Sequence, residues 1–160
     1  MTGVPLSRGL VAVIDDEDAP AVLSVGSWHA ADCDGRWYAR RFYRPEPNVQ
    51  RGLYLHTFLT GWPLVDHIDG DGLNNRRDNL RHATGSQNNA NSRPRVVGGY
   101  KGVSHYKRTG RWRAYLTTDG VHRHLGYFDT AEDAARAYDV AAREQWHEFA
   151  RLNFPTDGAR

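Results

Sequence analysis

Four side chains between positions 66 and 88 are of the types that can hydrolyse a phosphodiester. Asp66 and His67 stand together in the run Asp66-His67-Ile68-Asp69-Gly70-Asp71, with Asn79 twelve residues beyond His67 and Asn88 nine further on. Such a hydrolysis needs a water to lose a proton, the phosphate charge to be balanced and the leaving oxygen to be stabilised. His67 suits the first task, because an unperturbed imidazole titrates near ~6.5. Asp66 and Asn88 suit the other two by holding a divalent cation. Both offer oxygen, a hard donor that favours Mg2+ or Mn2+ over zinc. With two protein ligands, a single ion per site keeps most of its coordination for water and phosphate. Asn79 suits a different task, pinning the loop beside His67 through bonds to backbone.

Val65 to Ile68 reads as the strand that delivers Asp66 and His67. Neighbours on a strand face opposite sides, so it must end or bend where the polar loop 69–78 begins. Leu80 to Ala83 reads as the returning strand, after which Thr84 or Ser86 can cap a short helix carrying Gln87, Asn88 and Asn89. A calcium loop does not fit. Counted from Asp69, Leu73 and Leu80 fall where an oxygen ligand and the closing Glu belong. His56, inside the apolar stretch Leu53–Leu59, is open to two readings, a residue near the site or a packed one.

Upstream, Val11–Ile14 reads as a strand and Ala19–Val25 as a short helix. Trp28–Ala31 and Arg36–Tyr43 read as strands around the turn signal Asp34-Gly35, with Pro45–Asn48 a loop. Arg36, Tyr38, Arg40 and Phe42 share one strand face by period two, and its arginines are candidate DNA contacts. Downstream, Asn91 to Gly98 is polar and aperiodic, a linker. Tyr100–Tyr106, Arg111–Thr118 and Val121–Phe128 then read as three strands, turned at Thr109-Gly110 and Asp119-Gly120. Trp112, Ala114 and Leu116 alternate with Arg111, Arg113, Tyr115 and Thr117, placing the first set inward and the second outward. Thr130 caps a helix whose Ala134, Ala137, Tyr138, Ala141 and Ala142 recur at helical spacing.

The stretch Leu55-His56, Val65-Asp66-His67-Ile68-Asp69-Gly70, Asn75-Arg76-Arg77-Asp78-Asn79-Leu80-Arg81 and Gln87-Asn88-Asn89 resembles the HNH endonucleases, in their phage and intron-encoded homing branch. The resemblance implies a β-β-α-metal fold, His67 as general base, Asp66 and Asn88 as metal ligands, and Asn79 as the residue orienting the His67 loop. It also implies products with 5′-phosphate and 3′-hydroxyl ends. Thr57 and His82 depart from the residues common at their positions.

The segment Tyr100-Lys101-Gly102-Val103, Arg111-Trp112-Arg113-Ala114, Leu125 to Asp139 and Leu152-Asn153-Phe154-Pro155 resembles the APETALA2/ethylene-responsive-factor DNA-binding domain. That resemblance implies a three-stranded antiparallel sheet packed on one helix, with the sheet entering the major groove. Candidate DNA contacts are Lys101, His105, Arg108, Arg111, Arg113, Tyr115, Thr117, His122 and His124, with Arg36 and Arg40 from the first half. Ser104, His122 and His124 replace base-reading Arg or Trp of plant members, so plant target preference does not transfer. His147 stands where Gly is usual.

Bulk properties set limits. The chain has 160 residues, of which 39% are hydrophobic, and its mean hydropathy is −0.71. That suits small modules better than one large core. No apolar run approaches the ~18 residues that a membrane span needs, and no signal peptide is read at Met1–Ser7. Cys33 is alone, so neither a disulfide framework nor a cysteine-based structural zinc is expected. A bacterial or phage-infected cytoplasm fits. Net charge is +2 overall, but it runs −2 over 1–50, +2 over 51–97, +5 over 98–126 and −3 over 127–160. The basic stretch beside an acidic one marks a face for a polyanion.

These features predict an α+β chain. Residues 1–92 form a nuclease domain with a β-β-α-metal core over 53–92, residues 93–98 a linker and residues 99–157 the APETALA2/ERF-like domain. The expected activity is metal-dependent cutting of double-stranded DNA, by a monomer that nicks or a weak dimer. The alternative is a sequence-specific DNA-binding regulator on a spent HNH scaffold. A third reading is a restriction-type nuclease.

Overall fold

Alternation in Val11-Ala12-Val13-Ile14 builds the first core. Strand β1 (Thr2–Pro5) pairs antiparallel with β2 (Val11–Ile14), Val4 opposite Ala12, and Val4, Ala12 and Ile14 turn inward. Helix α1 (Ala19–Ser24), with Pro20 in its first turn, contributes Val22 to the same cluster, joined by Trp28, Ala39 and Leu55. The Trp28 indole N–H donates to the Val22 carbonyl at 3.1 Å, so the largest core side chain keeps its polar atom satisfied. This computed structural model describes residues 1–94 and 99–155.

Asp34 and Gly35 both take positive φ, 54° and 77°, as a two-residue hairpin turn demands. They fold β3 (His29–Cys33) onto β4 (Arg36–Glu46), which pairs on its other edge with β5 (Val49–Tyr54). The expected loop at 45–48 is shorter than the sequence suggests. β4 runs to Glu46, and Pro45 falls in the register irregularity between Tyr43 and Glu46, where a missing N–H costs no ladder bond. The apolar stretch after β5 is a helix, α2 (Leu55–Thr60), ended by Gly61 at φ 71°. β6 (Val65–His67) and β7 (Leu80–His82) form a separate two-stranded sheet. α3 (Gly85–Asn91) comes next, with a complete capping box. The Gln87 N–H donates to the Thr84 hydroxyl at 3.2 Å and the Thr84 N–H to the Gln87 side chain at 2.8 Å.

In the second half, β8 (Val103–Tyr106), β9 (Arg111–Thr118) and β10 (Val121–Phe128) form an antiparallel sheet in the order β10-β9-β8, with α4 (Ala131–Trp146) packed on it. Ala134, Ala135, Ala141 and Ala142 are buried, so α4 lies close on the buried Ala114 and Leu116 of β9. Gly102 (φ 72°) has no room for a Cβ, which would meet the Tyr138 ring. His147 ends α4 at φ 49°, and its side chain there costs on the order of 1 kcal/mol relative to Gly.

The architecture is thus mixed α and β, with several small sheets and few helices. The chain divides into two compact units, Met1–Ala83 and Thr84–Arg160. The sequence reading kept α3 with the nuclease core and placed a linker at 93–98. Residues 95–98 of that linker, and 156–157 of the second domain, lie outside the described residues. No helix among the described residues is long and apolar enough to cross a membrane.

Candidate active site and nucleic-acid interface

β6 delivers Asp66 and His67 into buried surroundings, 3% and 5% exposed. Asp66 faces Arg81 across the β6–β7 pair. Its Oδ2 accepts from Arg81 Nε at 2.8 Å and Nη2 at 2.7 Å. An ion pair thus balances the carboxylate that the sequence offered as a metal ligand. Among the described residues no three His, Cys, Asp or Glu gather to hold a metal. As donor types, a carboxylate and an amide oxygen suit a hard divalent cation.

The His67 ring lies in an aromatic nest. It meets His56 of α2 edge-on at 5.1 Å and Tyr38 of β4 at 5.8 Å, while His56 stacks on Tyr54 at 5.2 Å. Its Nε2 is 3.4 Å from Asn75 Oδ1. Burial lowers the His67 pKa, against the Asn75 contact and the carboxylates of Asp69, Asp66 and Asp71, which pull it up. Burial pushes His56 down to about 3, aided by repulsion from His67. Both imidazoles are therefore neutral at neutral pH, the state in which one can accept a proton. His56 is in the nest, which settles its open placement, and its Nδ1 is buried with no hydrogen-bond partner.

Asn79 reaches the loop rather than the ring. Its Oδ1 accepts the Asp69 N–H at 3.1 Å, and its Nδ2 donates to Asp69 Oδ1 at 3.0 Å and to the Asn74 carbonyl at 2.8 Å. Asp69 in turn accepts the Asp71 N–H and the Asn74 amide, each at 2.8 Å. Burial pulls the Asp69 pKa up, but the bonds from Asp71, Asn74 and Asn79 outweigh it and leave it lowered. The loop is also tied to β2: Asn75 N–H donates to the Val13 carbonyl at 2.7 Å, and Val13 N–H to that of Leu73 at 2.8 Å. Arg40 of β4 stacks over Phe42 at 4.7 Å and Tyr54 at 5.4 Å. Arg36 begins the same strand, partly buried.

Asn88 sits on α3, in the second unit. Lys101 Nζ donates to the carbonyls of Asn89 at 2.9 Å, of Ser92 at 2.7 Å and of Ala90, while Arg151 donates to those of Ala90 and Asn91. Lys101, expected as a DNA contact, thus places its ammonium on the last carbonyls of a helix end.

On the C-terminal sheet, cross-strand register defines the outward face. Arg113 lies between Ser104 and Tyr127, Tyr115 opposite His124, Thr117 opposite His122, and Arg111 opposite Tyr106. Arg113 stacks over Tyr115 at 5.3 Å, and the Thr117 hydroxyl meets His122 Nδ1 at 2.9 Å. Arg111 pairs with Asp129 at 3.0 Å and Arg108 stacks over Tyr106 at 5.6 Å. His105 departs from expectation: it lies opposite Trp112, 5.0 Å between rings, on the other side of the sheet from Arg113. Tyr106 and Tyr127, 5.2 Å apart, occupy the outward face that the sequence reading left without them. Counting by twos along β8 from Ser104 would have found Tyr106. Tyr127 is hidden by a bulge at Leu125, which shifts the alternation of β10.

Comparisons with known proteins match both halves of the chain. The HNH endonuclease family profile matches residues 61–90 and the AP2 domain profile residues 98–148. An uncharacterized HNH endonuclease of Acanthamoeba polyphaga mimivirus is 36% identical over 142 residues, covering 83% of this chain and 74% of the relative. The chain belongs to the HNH endonuclease family and carries an AP2 domain. APETALA2-like protein 2 of Oryza sativa subsp. indica is 56% identical over 55 residues, and so is the AP2-like ethylene-responsive transcription factor TOE2 of Arabidopsis thaliana. The chain spans only 13% and 11% of the length of these two plant relatives, which align with 34% of it.

Proposed function

We propose that this chain is a homing-type HNH endonuclease that hydrolyses double-stranded DNA, with the C-terminal sheet gripping the target. The observation that carries this reading is a buried His67 beside the buried Asp66 carboxylate, on a hairpin whose loop is braced by Asn79. His67 takes the proton from the attacking water, and Asn79 keeps the loop in shape while it does so. Asp66 and Asn88 would hold one divalent ion, Mg2+ or Mn2+, in a β-β-α-metal arrangement. When bound, that ion supplies charge compensation for the phosphate and the leaving oxygen. The products carry 5′-phosphate and 3′-hydroxyl ends. One such site cuts one strand, so a monomer nicks and a weak dimer cuts both.

Arg108, Arg111, Arg113, Tyr115, Thr117, His122 and His124 form the DNA face, with Arg36 and Arg40 contributing from the first unit. One plant relative is named a transcription factor, which supports a DNA-binding role for the AP2 domain. The mimivirus relative favours a viral or phage setting, where the chain acts in the cytoplasm of the infected cell.

A plasmid nicking assay with Mg2+, Mn2+ or EDTA tests the proposal. The wild-type chain nicks with metal, and His67→Ala binds DNA but loses roughly 10²–10⁴ in rate. A wild type that binds its target and never cuts with any metal would identify a regulator on a spent scaffold instead.

A further inference from the structure

We infer that Asn75 is a positioning residue that fixes the tautomer of the His67 imidazole, making Nδ1 the nitrogen that accepts the proton. This deepens the reading of His67 as the base and rests on it. The Asn75 side chain is fully buried, with 0% exposure. Its Nδ2 faces two backbone carbonyls, of Gly72 at 3.3 Å and Leu73 at 3.1 Å. A carbonyl only accepts, so both contacts require the NH2 end of the amide there. Oδ1 is thereby turned to His67 Nε2 at 3.4 Å. An amide oxygen cannot donate, so the ring nitrogen facing it carries the hydrogen. A neutral imidazole has one N–H, and Nδ1 is left with the lone pair. The contact is at the long end of the range, as catalytic hydrogen bonds often are before substrate tightens them.

The amide is itself held in place. Its backbone N–H is bonded to the Val13 carbonyl at 2.7 Å, which roots Asn75 in β2. Gly72, whose carbonyl fixes the NH2 end, lies so close to the Tyr38 ring that a Cβ would collide with it. Tyr38 and His56 pack against the His67 ring and hold its plane. Two asparagines therefore divide a task that spacing alone assigns to one: Asn79 shapes the loop and Asn75 addresses the base.

The test uses the full chain with 15N-labelled histidine and reads the tautomer of His67 by two-dimensional NMR, assigned by comparison with His67→Gln. Wild type should show a protonated Nε2 and a bare Nδ1. Asn75→Asp, which still offers an oxygen acceptor, should keep that tautomer and most of the cutting rate. Asn75→Leu should mix the tautomers and lower kcat by roughly tenfold to a hundredfold, the scale of a misaligned catalytic group, with KM for DNA unchanged. A wild-type ring protonated on Nδ1 overturns the inference even if Asn75→Leu fails to fold. So does an Asn75→Asp chain that melts like wild type but has lost the tautomer. If His67→Gln still cuts at the wild-type rate, the base assignment itself fails, whatever the tautomer.

Discussion

At the residue scale, the pairing of Asp66 with Arg81 changes what a substitution can report. Asp66→Ala removes a carboxylate and leaves a guanidinium that is only 16% exposed facing the gap. Breaking a buried pair from one side costs on the order of 3 kcal/mol. Asp66→Ala should therefore lower thermal stability together with cutting, whereas Asp66→Asn should lose metal-dependent nicking with a smaller drop in melting temperature. Equal melting for both would mean the pair adds little. His56 gives a second prediction. Unfolded, its ring takes a proton near ~6.5; folded, it does so only at about 3. Between these values the unfolded chain binds more protons, so stability falls as pH falls, by up to about 1.4 kcal/mol per pH unit for one proton. Urea unfolding at pH 7, 6 and 5 should show this slope, and His56→Phe should flatten it. An unchanged slope would assign the titration to other groups. Asp66, His67, Asn79 and Asn88 could be proposed from the sequence because their types and spacing stand together on one segment. Asn75, Tyr38 and the placement of His56 could not be, because the three lie on separate elements that only the fold brings to one ring.

At the element scale, turn chemistry made most strands legible. Asp34-Gly35, Thr109-Gly110 and Asp119-Gly120 stand between the paired strands β3–β4, β8–β9 and β9–β10. β1 was missed because Thr-Gly-Val-Pro lacks strand alternation and holds two strand-breaking residues. The bulge at Leu125 misled for another reason: period-two counting assumes an unbroken ladder. Register separates two basic residues that the sequence treated alike. If the proposed DNA face is right, Arg113→Ala should weaken DNA binding and reduce the salt slope by about 1, since it removes one positive charge from that face. Lys101→Met should leave that slope unchanged but lower the melting temperature, because its ammonium closes α3. Fluorescence anisotropy across a salt series, alongside thermal melts, checks both. A reduced slope for Lys101→Met would return it to the DNA face.

At the scale of the whole molecule, charge and division tell different stories. The +5 stretch at 98–126 holds β8, β9 and most of β10, and the −3 stretch after it holds α4. The second unit is thus polarised, with its basic sheet suited to meeting a polyanion. That much was legible from charge counting. The division after Ala83 was not. Asn91–Gly98 has the polar, proline-containing composition of a tether, while Lys101 and Arg151, up to sixty residues away, fasten α3 to the C-terminal module.

That fastening limits how the module can be transplanted. A graft beginning at residue 98, where the AP2 match begins, would carry Lys101 and Arg151 but shed the carbonyls they clasp. A graft beginning at Thr84 would keep the clasp intact and bring Asn88 along as cargo. Exchanging the C-terminal unit would therefore also exchange Asn88, a proposed metal ligand, so under the proposed function the two halves are not independent cassettes.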